Sequence, residues 1–345
     1  SLVGSEMCIR DRDKRIEPVR YQEAKKSYVE TLELVSANAI NKFFALATAQ
    51  SNYDIASFNY ANADTLYRYA QGRYNIGTIT ENEMLQLELN RLTEETNRMN
   101  ARIEMDNCMQ ELRSYLGIQE EREIRVRVSS RIPDFSINLN EALTLAYENS
   151  PDIQTMKRRK LESESAVARA RANAGLKADI YLRFGLTQTA DKLPEAYRNL
   201  LDQQYVSLSI SLPILDWGRG KGQVRVARSN RDLVYTQVEQ NRTDFELNVR
   251  KLVKQFNLQT QRVRIAARTD ETAQRRNEVA RKLYILGKST ILDLNASISE
   301  KDSARRNYVS ALYNYWSLYY TLRSMTLYDF ESNKLLTEDY NLLIE

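Results

Sequence analysis

Two carboxylates stand at matching places in this chain, each three residues after a threonine. Thr80 precedes Glu83 in "GTITENE", and Thr290 precedes Asp293 in "GKSTILD". A hydroxyl and a carboxylate at this spacing can satisfy free N–H groups at the start of a helix, as a capping box. The chemistry of these carboxylates is therefore hydrogen bonding, and the spacing predicts that a helix begins after each threonine.

Other residues capable of chemistry are scarce. The chain has 345 residues, no histidine, and two cysteines, Cys8 and Cys108, which lie far apart and without metal-ligand spacing. General acid–base catalysis most often uses histidine, and zinc sites use closely spaced cysteine and histidine. Carboxylates are plentiful, but neither a nucleophile–base set nor a Gly-rich phosphate loop accompanies them. The sequence predicts no enzyme activity, no cofactor and no metal site.

Long helices must position these residues. Only 10 glycines and 5 prolines interrupt the chain, which indicates long unbroken elements. The 50 Lys and Arg residues are dispersed among 46 Asp and Glu residues, so a nucleic-acid partner is not indicated. No apolar run approaches the roughly 20 residues of a membrane-spanning helix, so any crossing of a bilayer would use strands.

An internal repeat organises the helices. Setting Gly77 on Gly287 gives an offset of 287 − 77 = 210, which also aligns Leu-Arg-Ser at 112–114 with Leu-Arg-Ser at 322–324. Each copy is predicted to hold a helix of about 50 residues, roughly 75 Å long, a turn, and a returning helix of about 35 residues. The glycines suit the helix ends, where a positive φ is wanted.

Each returning helix carries a narrow apolar stripe of the kind found in coiled-coil seams. In the first copy the spacing alternates between four and three residues, at Leu85, Leu89, Leu92, Thr96, Met99 and Ile103. In the second copy the stripe consists of Val309, Leu312, Trp316 and Tyr319. The stripes predict that the returning helices pack as coiled coils.

Between the two copies the pattern changes from helical to alternating. Asn138 with Glu141, and Ser150 with Pro151, predict two short helices, and a β-hairpin over 178–213 follows. Its apolar face consists of Ile180, Leu182, Phe184, Val206, Leu208, Ile210 and Leu212, and the polar face of its second strand of Ser207, Ser209 and Ser211. Alternation alone fits a half-buried soluble hairpin as well as a lipid-exposed one.

The context of the hairpin favours a membrane. Strands of about 10 residues are long enough to cross a hydrocarbon core when tilted. An isolated two-stranded hairpin is only marginally stable in water. Its unpaired edges need partner strands, which other copies of the chain can supply. We therefore expect the apolar face to meet lipid and the serine face to line a water-filled lumen.

In this order and spacing the motifs resemble the TolC-like outer-membrane efflux proteins. The resemblance covers about residues 20–330 and rests on "YNIGTITENE", "YILGKSTILD", "LNEALTLAYENSPDI" and "VSLSISLPILDWGRGKGQVRVA". It implies a mainly α fold whose long antiparallel coiled-coil helices form an α-barrel tunnel. It also implies a trimeric transmembrane β-barrel to which each subunit contributes four strands.

The resemblance implies a passive duct of a tripartite efflux or type I secretion system. Such a duct is a homotrimer without a cofactor, set in outer-membrane lipid of a Gram-negative bacterium and extending into the periplasm. A periplasmic adaptor protein joins it to an inner-membrane transporter. The adaptor would contact the tip formed by the helical turns, which by motif position holds Tyr74, Gly77, Tyr284 and Gly287.

The resemblance also gives the two carboxylates a second role. Family members place acidic residues after the second turn, around the constriction that closes the tunnel, and Asp293 holds such a position. Glu83 is its counterpart after the first turn. A further aspartate common in the family is Ala296 here, so an acidic ring would be weaker. Capping and gating both stay open for these residues.

We expect the chain to divide into four parts. Residues 1–12 resemble a sequencing or assembly scar, 13–138 the latter half of a first repeat, 139–330 a whole second repeat, and 331–345 a C-terminal tail. Only one strand pair is present, so we expect the first strand pair, its preceding helices and any signal peptide to be missing.

Two alternatives remain at this point. The chain could be a soluble or peripheral coiled-coil scaffold, in which the strands are incidental. It could also be the periplasmic adaptor itself, which has a helical hairpin, although no lipoyl-like β domain is visible in the sequence.

Overall fold

The structure is a computed structural model that describes residues 4–119, 123–129, 132–187, 201–211 and 215–336. The described residues form six helices and two two-stranded antiparallel sheets, β1 with β2 and β3 with β4. In chain order the elements are α1 Gly4–Asn75, α2 Glu81–Tyr115, α3 Leu139–Asn149, α4 Pro151–Asn173, β1 Lys177–Thr187, β2 Leu201–Ser211, α5 Arg219–Ile285, α6 Ile291–Thr326, β3 Tyr328–Asp329 and β4 Lys334–Leu335. The mainly helical fold with a strand hairpin is as predicted.

The chain divides into two compact units. One combines Ser1–Lys26 with Pro151–Glu246, and the other combines Ser27–Ser150 with Leu247–Glu345. The strand hairpin belongs to the first unit, and the turns that follow α1 and α5 belong to the second. Helices α1 and α5 contribute residues to both units.

The two long helices exceed the predicted length of about 50 residues. Helix α1 has 72 residues and α5 has 67. Helix α1 begins at Gly4, within the residues 1–12 that the sequence analysis set aside, and it continues through Pro18. An internal proline removes one backbone hydrogen bond and crowds the preceding turn, yet α1 continues past Pro18. The returning helices, with 35 and 36 residues, match their predicted length.

Helices α1 and α2 pack against each other in antiparallel directions. The Tyr115 hydroxyl donates to the Val35 carbonyl at 2.9 Å, and the Arg98 guanidinium lies 4.1 Å from the centre of the Tyr60 ring. Residue numbers thus rise along α1 as they fall along α2. The buried core between these helices consists of Leu46, Ala49, Met105 and Leu112.

Helices α5 and α6 repeat this arrangement. The Gln259 amide donates to the Ala311 carbonyl at 3.0 Å, and the Asn277 amide donates to the Ser297 hydroxyl at 3.0 Å. The buried positions follow the repeat: α2 buries Leu87, Met105 and Leu112, and α6 buries the residues 210 positions later, Ser297, Tyr315 and Leu322. The internal repeat is therefore a structural repeat.

The two predicted apolar stripes differ in burial. In α6, Val309, Leu312 and Tyr319 are buried, as the coiled-coil prediction requires. The apolar residues of the α2 stripe are exposed in the single chain, so this stripe does not pack on α1: Leu85, Leu89, Leu92, Met99 and Ile103. Helix α1 contacts a face of α2 that includes Leu87. Two positions are about 200° apart on a helix, so Leu85 and Leu89 point away from α1.

The short helices begin where the sequence predicts. The Asn138 side chain accepts hydrogen bonds from the N–H groups of Asn140 at 2.9 Å and Glu141 at 3.5 Å, which caps α3. Helix α4 begins at Pro151. The small β3–β4 sheet was not predicted, and it overlaps the first residues of the segment 331–345 that was assigned as a tail.

The buried core between α1 and α2 generates a stability prediction. Replacing Leu112 by alanine removes a side chain that is 3% exposed, so we expect unfolding free energy to fall by about 2–5 kcal/mol. The matched change Leu89→Ala removes an exposed side chain of the same type and is expected to cost under about 0.5 kcal/mol. Urea unfolding of the monomeric chain measures both. Equal costs would show that α1 does not pack on the Leu112 face.

Candidate functional site

The two helical turns have the same backbone geometry. In the first turn, residues 76–80, Gly77 has φ 73°, its N–H donates to the Tyr74 carbonyl at 2.9 Å, and the Thr78 N–H donates to the Arg73 carbonyl at 2.9 Å. These two bonds define a Schellman motif, which closes the end of α1. A side chain at Gly77 would be strained at this positive φ, so the glycine is needed for its conformation.

The second turn, residues 286–290, repeats each of these bonds. Gly287 has φ 68°, its N–H donates to the Tyr284 carbonyl at 3.0 Å, and the Lys288 N–H donates to the Leu283 carbonyl at 2.9 Å. The alignment of Gly77 with Gly287 thus identified equivalent structures, and both glycines terminate a long helix.

Both predicted capping boxes are present. The Glu83 carboxylate accepts from the Thr80 N–H at 3.0 Å, and the Thr80 hydroxyl accepts from the Glu83 N–H at 3.3 Å. In the second turn the Asp293 carboxylate accepts from the Thr290 N–H at 3.2 Å, and the Thr290 hydroxyl accepts from the Asp293 N–H at 3.1 Å. Capping is therefore a structural role of both carboxylates.

Asp293 makes more hydrogen bonds than Glu83. Its Oδ2 also accepts from the Thr290 hydroxyl at 2.7 Å and from the Ser289 hydroxyl at 3.2 Å. The Thr290 side chain is the largest cause of a lowered pKa for Asp293, followed by the Thr290 N–H and the Ser289 side chain. The carboxylate is exposed and stays charged at neutral pH.

Apolar side chains are exposed around both turns. Ile76 in the first turn is 74% exposed and Leu286 in the second turn is 67% exposed. Of the predicted tip residues, Tyr74 is exposed and Tyr284 is half-buried. Burial raises the pKa of Tyr284, and the charge of Arg73 acts in the opposite direction. The two turns thus present apolar and aromatic groups on an accessible surface.

The strand hairpin pairs its apolar residues directly across the sheet. Ile180 lies opposite Leu208, and Leu182 lies opposite Val206. The predicted apolar residues on the described strands are exposed: Ile180, Leu182, Phe184, Val206, Leu208 and Ile210. Leu212, assigned to the same face, lies outside the described residues. No other element of the described chain covers this face, since these side chains are more than half exposed.

The opposite face of the hairpin is polar and aromatic. Ser207 lies opposite Tyr181 and Ser209 opposite Asp179, and the rings of Tyr181 and Tyr205 meet edge to face with centroids 6.2 Å apart. Ser207 is half-buried, and Ser209 and Ser211 are exposed. The predicted division of the second strand into an apolar and a serine face matches the register.

Asp216 has a role at the entrance to α5 that was not predicted from the sequence. Its carboxylate accepts from the N–H groups of Gly218 at 2.9 Å and Gly220 at 2.8 Å, which lowers its pKa. A β-carbon at Gly220 would stand 2.8 Å from that carboxylate and 2.9 Å from the Ala174 side chain. An aspartate two residues before a glycine was the available signal. The neighbouring Trp217 is 94% exposed.

Within the described ranges, no group of three or more His, Cys, Asp or Glu side chains is arranged to hold a metal ion. Among the helices of those same ranges, none combines the length and the apolarity that a bilayer-spanning helix requires.

Solved structures share this fold. The CmeC outer membrane channel of Campylobacter jejuni superposes with a TM-score of 0.76 at 16% identity, covering 97% of this chain and 70% of that chain. A membrane protein from Pseudomonas aeruginosa superposes with a TM-score of 0.70 at 12% identity, covering 91% of this chain and 71% of that chain. The outer membrane protein VceC from Vibrio cholerae superposes with a TM-score of 0.68 at 16% identity, covering 90% of this chain and 74% of that chain. The chain therefore has the fold of outer-membrane channel proteins.

The sequence also matches a protein-family model. The model of the outer membrane efflux protein family matches residues 142–326, which is 326 − 142 + 1 = 185 of the 345 residues. The chain belongs to the outer membrane efflux protein family, whose members are channels and not a class of enzymes. The comparison with curated proteins gives no match.

The cap of α6 generates a prediction about Asp293. Its lowered pKa means that the cap contributes stability above the usual pKa of the carboxyl, and this contribution is lost as pH falls through the lowered folded-state value. Thr290→Ala should raise the pKa of Asp293 toward its usual value and cost about 0.5–2 kcal/mol. Thr290→Ser keeps the hydroxyl and should preserve the low pKa. A carboxyl NMR titration measures the pKa, and identical titrations for the two variants would contradict the cap.

Proposed function

We propose that the chain is the outer-membrane component of an export system and forms a passive duct. Its hairpin meets lipid with one face and a water-filled lumen with the other. Its long helices continue the duct into the periplasm of a Gram-negative bacterium. Transport is driven elsewhere, by an inner-membrane transporter, and the duct itself uses no catalytic group and no cofactor.

The exposed apolar face of the hairpin carries this proposal. Leu208 lies directly opposite Ile180 across the sheet, and this apolar pair is exposed, with Leu208 at 63% and Ile180 at 69%. A soluble hairpin buries one face against a core, and the described part of the chain provides no such cover. Lipid is a solvent in which that face is favourable, and the serine face suits water without adding charge.

The same surfaces support the homotrimer that the family resemblance implies. The sheet of β1 and β2 has only two strands, so each outer edge has N–H and C=O groups that need a partner strand. Other copies of the chain supply such strands by symmetry. The exposed stripe of α2, which includes Leu89, supports the same arrangement, because a narrow apolar stripe on a helix fits a helix of a neighbouring subunit.

The two turns are proposed as the contact with a periplasmic adaptor protein. Tyr74, Gly77, Tyr284 and Gly287 are the family's tip positions by motif, and the exposed Ile76 and Leu286 next to them add apolar surface for a partner. Asp293 is proposed to face the constriction in addition to capping α6. It is exposed and charged, and a side chain in a cap keeps its charge available to ions in the duct.

A charge on the lipid-facing side tests the duct against the soluble scaffold. Leu208→Arg places a cation on the apolar face and should weaken membrane insertion by about 2–4 kcal/mol near the bilayer centre. Ser209→Arg places the same side chain on the other face of the same strand and should leave insertion intact. The chain is refolded with lipid vesicles, and flotation and urea unfolding of the inserted protein measure insertion.

Three outcomes separate the alternatives. Insertion that fails in Leu208→Arg alone supports the duct, and the inserted protein should then run as a heat-resistant trimer on gels. Equal behaviour of both variants supports a scaffold in which the strand faces are equivalent. Wild-type protein that stays with the aqueous fraction contradicts an outer-membrane duct formed by this chain.

The adaptor contact is tested separately. A photo-crosslinking amino acid at position 286, in the second turn, should capture a periplasmic adaptor in Gram-negative cells. The same amino acid in place of Leu233, which is exposed on α5 away from the turns, should not. Capture from neither position, or equally from both, contradicts the tip assignment while leaving the duct unaffected.

A further inference from the structure

A cavity lies between α1 and the α5–α6 pair, all within the second unit. Its volume is about 210 Å3. Helix α1 contributes Asn62, Thr65, Leu66 and Tyr69, helix α5 contributes Asn277, Arg281, Tyr284 and Ile285, and helix α6 contributes Leu294 and Ile298. Tyr284 is shared with the proposed adaptor contact, and the other lining residues have no part in the proposed duct.

The size of the cavity limits what it can hold. An apolar cavity of about 150 Å3 accommodates benzene, whereas pockets for drug-sized ligands measure about 300–1,000 Å3. At about 210 Å3 the cavity fits one aromatic ring with a small substituent. Leu66, Leu294 and Ile298 provide apolar walls, and the rings of Tyr69 and Tyr284 provide aromatic ones.

The polar groups of the lining include both hydrogen-bond donors and acceptors. Asn277 is 6% exposed, and its Nδ2 carries two hydrogens, of which one is used by the Ser297 hydroxyl at 3.0 Å. The Thr65 hydroxyl donates to the Ala61 carbonyl at 2.8 Å and has no hydrogen left to give. The Tyr284 hydroxyl is a further donor at the wall. A ligand with an acceptor group can therefore use the donors of Asn277 and Tyr284.

The charges around the cavity favour an anion. Arg281 lines it, and in the part of the chain that the structure describes no carboxylate lies within ion-pair distance of this guanidinium. Arg73 lies 5.8 Å from the centre of the Tyr69 ring, at the same wall. Glu83 is the acidic group that acts on Tyr284, and its carboxylate is already held by the Thr80 N–H.

We propose that this cavity binds a small aromatic carboxylate. The ring occupies the apolar space, and the carboxylate accepts from Arg281 and from the remaining hydrogen of Asn277. The ligand contacts α1 on one side and α5 with α6 on the other, so it holds the two helical hairpins in the arrangement seen here. Binding does not require that the chain conducts, so a failure of the duct proposal leaves this proposal testable.

Benzoate is the probe, and benzyl alcohol is its neutral counterpart of similar shape. Isothermal titration of the full chain should show one benzoate per chain with millimolar or tighter affinity, and benzyl alcohol should bind more weakly. Benzoate should also raise the melting temperature, because a ligand of the folded state stabilises it. Benzylamine, a cation of the same shape, should not bind.

Substitutions on both hairpins locate the site. Arg281→Gln should weaken benzoate binding about tenfold or more, since a charge-assisted hydrogen bond is lost, and should leave benzyl alcohol binding unchanged. Lys282→Gln is the control, because it removes the same charge from the next residue, which is outside the lining. It should leave the binding of both benzoate and benzyl alcohol unchanged. Leu66→Trp from α1 and Ile298→Trp from α6 fill the cavity and should abolish binding of both probes.

The outcomes decide the proposal. Circular dichroism establishes whether each variant is folded. There are two blocking variants, Leu66→Trp and Ile298→Trp, so that one remains informative if the other misfolds. Benzoate binding lost in Arg281→Gln and in a folded blocking variant supports the site. The proposal is overturned if wild-type protein shows no benzoate binding, if the blocking variants bind as wild type does, or if Lys282→Gln and Arg281→Gln weaken binding equally.

Discussion

The structure depends on how each long helix satisfies its backbone groups where it reverses. A helix end leaves several C=O groups without partners, and the next helix begins with unpaired N–H groups. A left-handed glycine at 77 or 287 closes the first set, and Thr80 with Glu83 or Thr290 with Asp293 closes the second. Because each turn is so short, the returning helix lies directly against the helix before it, and the register of every side-chain contact along the pair is set there.

That register brings polar groups together deep between the hairpins. The Asn59 amide of α1 donates to the Asp302 carboxylate of α6 at 2.6 Å, and the Asp270 carboxylate of α5 accepts from Arg305 of α6 at 3.2 Å. Both aspartates are 5% exposed. A buried carboxylate without a partner is strongly destabilising, so these pairs tolerate few other registers. Buried polar contacts thereby select among arrangements that apolar stripes alone would allow.

The features predicted from the sequence are those determined within a few residues. The caps at Thr80 and Thr290, the helix starts at Asn138 and Pro151, and the strand alternation all depend on near neighbours. Features set by distant partners were not predicted. The contact between Asn59 and Asp302 joins residues that are 243 positions apart, and the stripe that includes Leu89 is exposed in the single chain. A periodic pattern shows that a face is apolar, but not which surface covers it.

Among the described residues, the α2 stripe and the hairpin face are exposed apolar surfaces of different shape. The stripe on α2 is narrow, is interrupted by Thr96 and lies among charged residues such as Glu95, so it fits the side of another helix. The hairpin face is two strands wide and uncharged from Ile180 to Phe184 and from Val206 to Ile210, which suits hydrocarbon. Association in water would cover the first surface and leave the second exposed. Copies of the chain held together in a bilayer would cover both, and this accounts for strands and long polar helices occurring in one family of channels.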